Sequence, residues 1–95
     1  MIKILEFKER QQNTLQGFVT IQMTNIGLEI RNITVHQKND SRWIGMPAKP
    51  YEKDGKTQYS YIVHFYDKEM GDKFKDAVLQ ALDEYRRQDN DSLAF

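Results

Sequence analysis

Residues 18–35 carry the reading on which the fold turns: Phe18-Val19-Thr20-Ile21-Gln22-Met23, then Asn25-Ile26-Gly27, then Leu28-Glu29-Ile30-Arg31-Asn32-Ile33-Thr34-Val35. In the first segment Val19, Ile21 and Met23 fall on one face of a strand, and Phe18, Thr20 and Gln22 fall on the other. Its β-branched residues suit a pleated, half-buried surface. Asn25-Ile26-Gly27 reads as a tight turn or bulge. In the next segment Ile26, Leu28 and Ile30 share a face, but Ile33 and Val35 continue one position out of phase. A β-bulge near Arg31-Asn32 would restore the inward direction and bend the strand; two separate strands also fit the pattern.

Working outward, Ile2–Phe7 is a short strand of imperfect alternation, and Gln11–Thr14 is a polar turn. Gln37–Ser41 reads as a hairpin loop. Trp43–Met46 reads as a fourth strand ended by Pro47, which cannot donate to a ladder. Residues 47–58 read as a loop punctuated by Pro47, Pro50 and Asp54-Gly55. Tyr59–Phe65 reads as a fifth strand, with Tyr59, Tyr61, Val63 and Phe65 on one face. A helix follows. Asp67 is a good N-cap, and Glu69 in the first turn suits the helix dipole. Met70, Phe74, Ala77, Val78, Ala81, Leu82 and Tyr85 recur at three- and four-residue spacing, and Arg86-Arg87 close the helix at its negative end. The expected fold is α+β: a four- to five-stranded antiparallel β-meander with a bulged strand and one C-terminal helix packed on the sheet. Residues 1–88 form one domain, and 89–95, without periodicity, form a mobile tail. A single helix covers one sheet face. The other must meet water, a ligand or a second chain, and the apolar residues on both faces of 18–23 favour a homodimer.

The chain has 95 residues and no cysteine. The absence of cysteine excludes thiol catalysis and thiolate metal sites and fits a reducing compartment. The N-terminus Met1-Ile2-Lys3-Ile4-Leu5-Glu6 is charged and strand-like, and no apolar run is long enough for a membrane span, so the expected location is the cytoplasm. Fourteen basic residues balance fourteen acidic ones. Nucleic-acid binding, which usually goes with a basic excess, would therefore rest on a local patch.

Little here resembles a catalytic site. His36 and His64 lie on different predicted strands with no acid at ligand spacing, so neither a metal nor another cofactor is expected. Ser41 and Ser60 lack the context of a triad, and the five glycines are dispersed rather than gathered in a phosphate loop. Asp67, Glu69, Asp72 and Asp76 read as a solvated helix face paired with Lys68, Lys73 and Lys75. The chain is not expected to be an enzyme. The suggestive set is basic and aromatic. Arg31, Lys38, Arg42, Lys49, Tyr51, Lys53 and Lys56 are the candidate nucleic-acid-binding residues, and the basic ones surround Trp43, Tyr59 and Tyr61 as well as Tyr51. Single strands need this combination of flat rings for bases and cations for phosphates. Two other readings stay open: Trp43 and Tyr61 fill the core or a dimer interface, or the loop docks another protein.

Several short strings, in order, resemble the stage V sporulation protein G (SpoVG) family of small bacterial proteins. They are Met46-Pro47-Ala48-Lys49, the Asp54-Gly55 turn, Ile62-Val63-His64-Phe65 and Asp76-Ala77-Val78-Leu79, within a resemblance over roughly residues 17 to 87. It implies a β-meander followed by a helix, a dimer, and a nucleic-acid-binding regulator. Two positions depart from the family pattern. Phe65 replaces a proline after the histidine, and Pro50-Tyr51 replace a pair that is usually basic, which removes positive charge from the loop.

Overall fold

The computed structural model describes residues 1–93, with side chains for residues 1–88. Six strands precede one helix: β1 (Ile2–Gln12), β2 (Leu15–Met23), β3 (Leu28–Lys38), β4 (Ser41–Gly45), β5 (Ala48–Lys53), β6 (Lys56–Tyr61) and α1 (Lys68–Leu93). Strands β1 to β4 form an antiparallel meander in chain order, and β5 and β6 form a separate two-stranded ribbon. The fold is α+β, with antiparallel strands and one C-terminal helix, as the periodicities require.

Strand β3 is continuous and bulged. Val19 pairs with Ile33 and Ile21 with Ile30, so Arg31 and Asn32 together oppose Thr20. Asn32 takes a left-handed backbone, φ 61°. Asparagine tolerates that region better than other side-chain-bearing residues. The bulge turns both Ile30 and Ile33 inward, where they are buried with Val19, Ile21 and Val35. The alternative of two separate strands is therefore excluded. Tight turns at Asn13, Asn39 and Asp54-Gly55 also use left-handed residues. At Asp54-Gly55 both central residues have positive φ, the requirement of the hairpin turn whose twist matches its strands.

Helix α1 begins where Asp67 caps it: the Asp67 carboxylate accepts hydrogen bonds from the Glu69 and Met70 backbone N–H groups, at 3.0 and 3.2 Å. Phe74, Val78, Leu79 and Leu82 are buried on the inward face of the sheet. Ile2, Ile4, Phe7, Met23, Ile44, Met46 and Tyr85 pack around this core. Two polar contacts fix the helix over opposite edges of the meander. Arg42 on β4 donates two hydrogen bonds to the Asp83 carboxylate, at 2.7 and 3.0 Å, and the Arg86 guanidinium lies 5.1 Å from the centroid of the Phe7 ring on β1.

Several expectations change. Residues 47–58 are not a loop: most of them form β5, the turn and the start of β6. The fifth strand does not run to Phe65 but stops at Tyr61, because the Ile62 and Val63 N–H groups both turn to the Pro47 carbonyl. Phe65 instead packs on Phe74, with ring centroids 4.9 Å apart. His64, expected on a strand, lies in the irregular segment after β6. In the helix, Met70 is exposed while Leu79, absent from the expected stripe, is buried. The helix also continues past Arg87 to Leu93. The tail expected over 89–95 falls, for its side chains and for residues 94–95, outside the described residues.

Two substitutions probe this packing. Phe74→Ala should lower unfolding stability by about 3–5 kcal/mol in a denaturant titration, because its ring is buried between helix and sheet. A loss far below 1 kcal/mol would contradict that packing. Gly17 sits where any Cβ would collide with the Lys8 carbonyl and stand 2.7 Å from the Phe7 ring. Gly17→Ala should therefore cost roughly 1–3 kcal/mol despite the small added volume; a neutral result would mean that β1 yields freely.

Candidate nucleic-acid interface

The β5–β6 hairpin has two chemically different faces. Side chains alternate along a strand, and directly paired residues share a face. The register Lys49↔Ser60, Tyr51↔Gln58 and Lys53↔Lys56 puts three lysines, Tyr51, a glutamine and a serine on one side. The pairs Ala48↔Tyr61, Pro50↔Tyr59 and Glu52↔Thr57 form the other, richer in apolar and aromatic groups. Pro50 is tolerated because a two-stranded ribbon leaves each strand one free edge. Every residue of β6 is exposed, as is every residue of β5 after Ala48. Lys49, Lys53 and Lys56 have no carboxylate partner among the described residues.

The seven candidate residues do not form one patch. Lys49, Tyr51, Lys53 and Lys56 are together on the hairpin. Lys38 stands at the far end of the β3–β4 ladder, opposite Ser41. Arg42, near it, is held by Asp83, and the resulting hydrogen bonds are the main cause that raises its pKa above the usual arginine value. Arg31 lies at the bulge, its Nε donating to Glu29 at 2.8 Å. The Glu29 carboxylate accepts a further hydrogen bond from Gln22 at 2.9 Å. These bonds, Gln22 first and Arg31 second, keep its pKa below the ordinary value.

The tyrosine face of the hairpin looks across a groove of about 700 Å³ toward the open face of the meander. Phe18, Arg31, Asn32, Thr34 and His36 line the meander side, and Tyr59 and Tyr61 line the hairpin side. The floor is braced. His36 stacks on Trp43 at 5.4 Å with the rings 5° from parallel. Its Nδ1 is 3.0 Å from the Thr14 hydroxyl and its Nε2 is 3.1 Å from the Thr34 hydroxyl. Thr34 in turn donates to the Gly45 carbonyl at 3.3 Å. A Cβ at Gly45 would collide with the Thr34 hydroxyl, so glycine there leaves room for this network. Trp43 is thus a half-exposed brace on β4 rather than a core residue.

Tyr59, Tyr61 and Asn32 were not among the candidate site residues. A signal for the tyrosines existed: Asp54-Gly55 flanked by Lys49, Tyr51 and Lys53 and by Thr57, Tyr59 and Tyr61 is a hairpin pattern with alternating faces. Asn32 becomes conspicuous only through its backbone. Among the described residues no group of three or more His, Asp or Glu is placed to hold a metal ion, and no helix is long and apolar enough to cross a membrane.

Comparison with known proteins gives one result. No curated protein and no solved structure matches the chain. The SpoVG family model matches residues 1–85, which takes in all six strands and the helix as far as Tyr85. With the match spanning this much of the chain, the protein belongs to the SpoVG family.

Proposed function

We propose that this chain is a non-enzymatic regulator that binds nucleic acid in the cytoplasm as a homodimer, holding phosphates on the lysine face of the β5–β6 hairpin. The observation that carries this reading is the Lys53↔Lys56 pair. Like charges directly opposite on a ribbon are destabilising. Glu52, the nearest acid on β5, belongs to the other face. A polyanion relieves that repulsion. The third lysine, Lys49, and the ring of Tyr51 extend the same face, so cations and a stacking surface lie side by side as single-strand binding requires. Tyr51 stands where the family usually has a basic residue, so stacking substitutes in part for charge.

The dimer is supported by a run of exposed apolar side chains just after the hairpin. Ile62, Tyr66 and Met70 are 69, 97 and 53 % exposed. Surface of this kind on so small a chain marks an association site. The same run suits an adaptor that binds another protein instead.

Two measurements decide between these readings. Binding should weaken steeply with salt, with a log–log slope near −2 per subunit for a single strand, from roughly 0.7 per phosphate over about three contacts. Replacing Lys49, Lys53 and Lys56 together with glutamine should flatten that slope without unfolding the protein, and Tyr51→Ala should weaken single-strand binding more than duplex binding. A folded protein that ignores every oligonucleotide at low salt would leave the adaptor reading. Sedimentation at micromolar concentration should show a dimer, and Ile62→Asp with Tyr66→Asp should convert it to monomer; a wild-type monomer would remove the dimer.

A further inference from the structure

We infer that the groove between the tyrosine face of the hairpin and the open face of the meander receives one unpaired nucleobase of a bound strand, at a site separate from the lysine face. The inference rests on the nucleic-acid reading above and adds to it a specificity for single strands.

Four features point to this occupant. Tyr59 and Tyr61 are two residues apart on one face of β6, which places them about 6.6 Å apart along the strand. That is close to twice the van der Waals separation of stacked planes, about 3.5 Å. A planar ring therefore fits between the two phenols or stacks on either. Both are more than three-fifths exposed, at 66 and 61 %; among the described residues the one ring contact of this pair is Tyr61 with His64, at 5.7 Å and tilted by 35°.

Opposite them the bulge sends two polar side chains to the groove. The Asn32 side chain makes no hydrogen bond among the described residues, and its amide carries both donors and an acceptor, the equipment for reading a base edge. Arg31 is oriented by Glu29 through Nε alone. Its Nη groups are left for a phosphate beside the base. The volume lies within the range of small-ligand sites.

The polar floor also argues against an apolar occupant. A hydrophobic side chain from another protein would cover Arg31 and Asn32 without satisfying them, which costs affinity. A paired base cannot enter, because its edge is occupied and both of its faces are stacked. The hairpin is only two strands wide, so a flexible single strand can cross its edge from the lysine face to the groove.

The test compares three fluorescent probes by anisotropy: a single strand of about twelve nucleotides, the same strand with its central nucleotides abasic, and a duplex. The abasic strand keeps its phosphates, so it separates base recognition from charge. Wild-type protein should bind the intact strand at least about fivefold more tightly than the abasic one, the lower end for one base–aromatic stack. The variant Tyr59→Ala/Tyr61→Ala should lose the larger part of that preference, keeping only what Tyr51 contributes, with the salt slope and duplex affinity unchanged; a variant that keeps the full preference would overturn the groove. Asn32→Gly keeps the left-handed backbone available and should reduce discrimination among the four bases.

Equal binding of intact and abasic strands by the wild type, with a steep salt slope, would overturn the groove and the Tyr51 stack while leaving the lysine–phosphate contacts standing. Loss of the dimer in the tyrosine variant would also overturn it, because the groove would then be a contact between copies. Failure of every probe to bind at low salt would overturn both readings.

Discussion

The left-handed backbone of Asn32 is the constraint on which much of this structure depends. Without the bulge, β3 would present Ile30 and Ile33 to opposite faces, and one buried aliphatic side chain would face water. With it, Ile30, Ile33 and Val35 join Val19 and Ile21 in one continuous apolar surface beneath α1. The same device brings Arg31 and Asn32 together opposite Thr20. A bulge often re-aims side chains near a functional surface. Here the residue that keeps the core intact also equips the groove.

The division between core and exposed elements follows from the chain's size. A domain this small has one helix to offer, and α1 is spent on the inward face of the meander. Arg42–Asp83 and Arg86–Phe7 fix it over the two sheet edges. Half-exposed ion pairs and cation–ring contacts contribute modestly to stability, about 0–1 kcal/mol, so their value is orientation. The β5–β6 ribbon receives no such cover. It is held by its own ladder and by the Pro47 carbonyl at its base, and it is free to present different chemistry on each side.

That freedom gives the family membership a physical shape. In the proposed reading, phosphates meet lysines on one side of the ribbon, and a base meets tyrosines on the other. The exposed run from Ile62 to Met70 stays available to a second copy. In the same reading, charge supplies affinity that depends on salt, while stacking and the Asn32 amide supply selection. Arg42, also a candidate by its charge, donates two hydrogen bonds to Asp83 and so ties β4 to the helix.

The meander, its bulge and the capped helix were legible in the sequence because each buries a face. Burial imposes a period of two on β2 and β3 and of 3.6 on α1, and the break between Ile30 and Ile33 located the bulge to within a residue. The hairpin from Ala48 to Tyr61 was legible as a strand only from Tyr59 onward. It buries neither face, so apolar alternation marks it only at Tyr59 and Tyr61, and Pro47 and Pro50 read as loop punctuation. Phe65 looked like the end of a strand because its apolar character is the same whether it faces a sheet or, as here, the Phe74 ring. The lysines and aromatics could be named from the sequence, but not sorted. Which of them share a face depends on the register Lys53↔Lys56 and Pro50↔Tyr59, and the partner of Arg42 lies 41 residues away. Local pattern determines which residues a segment must bury; only the pairing of distant segments determines which exposed residues stand together.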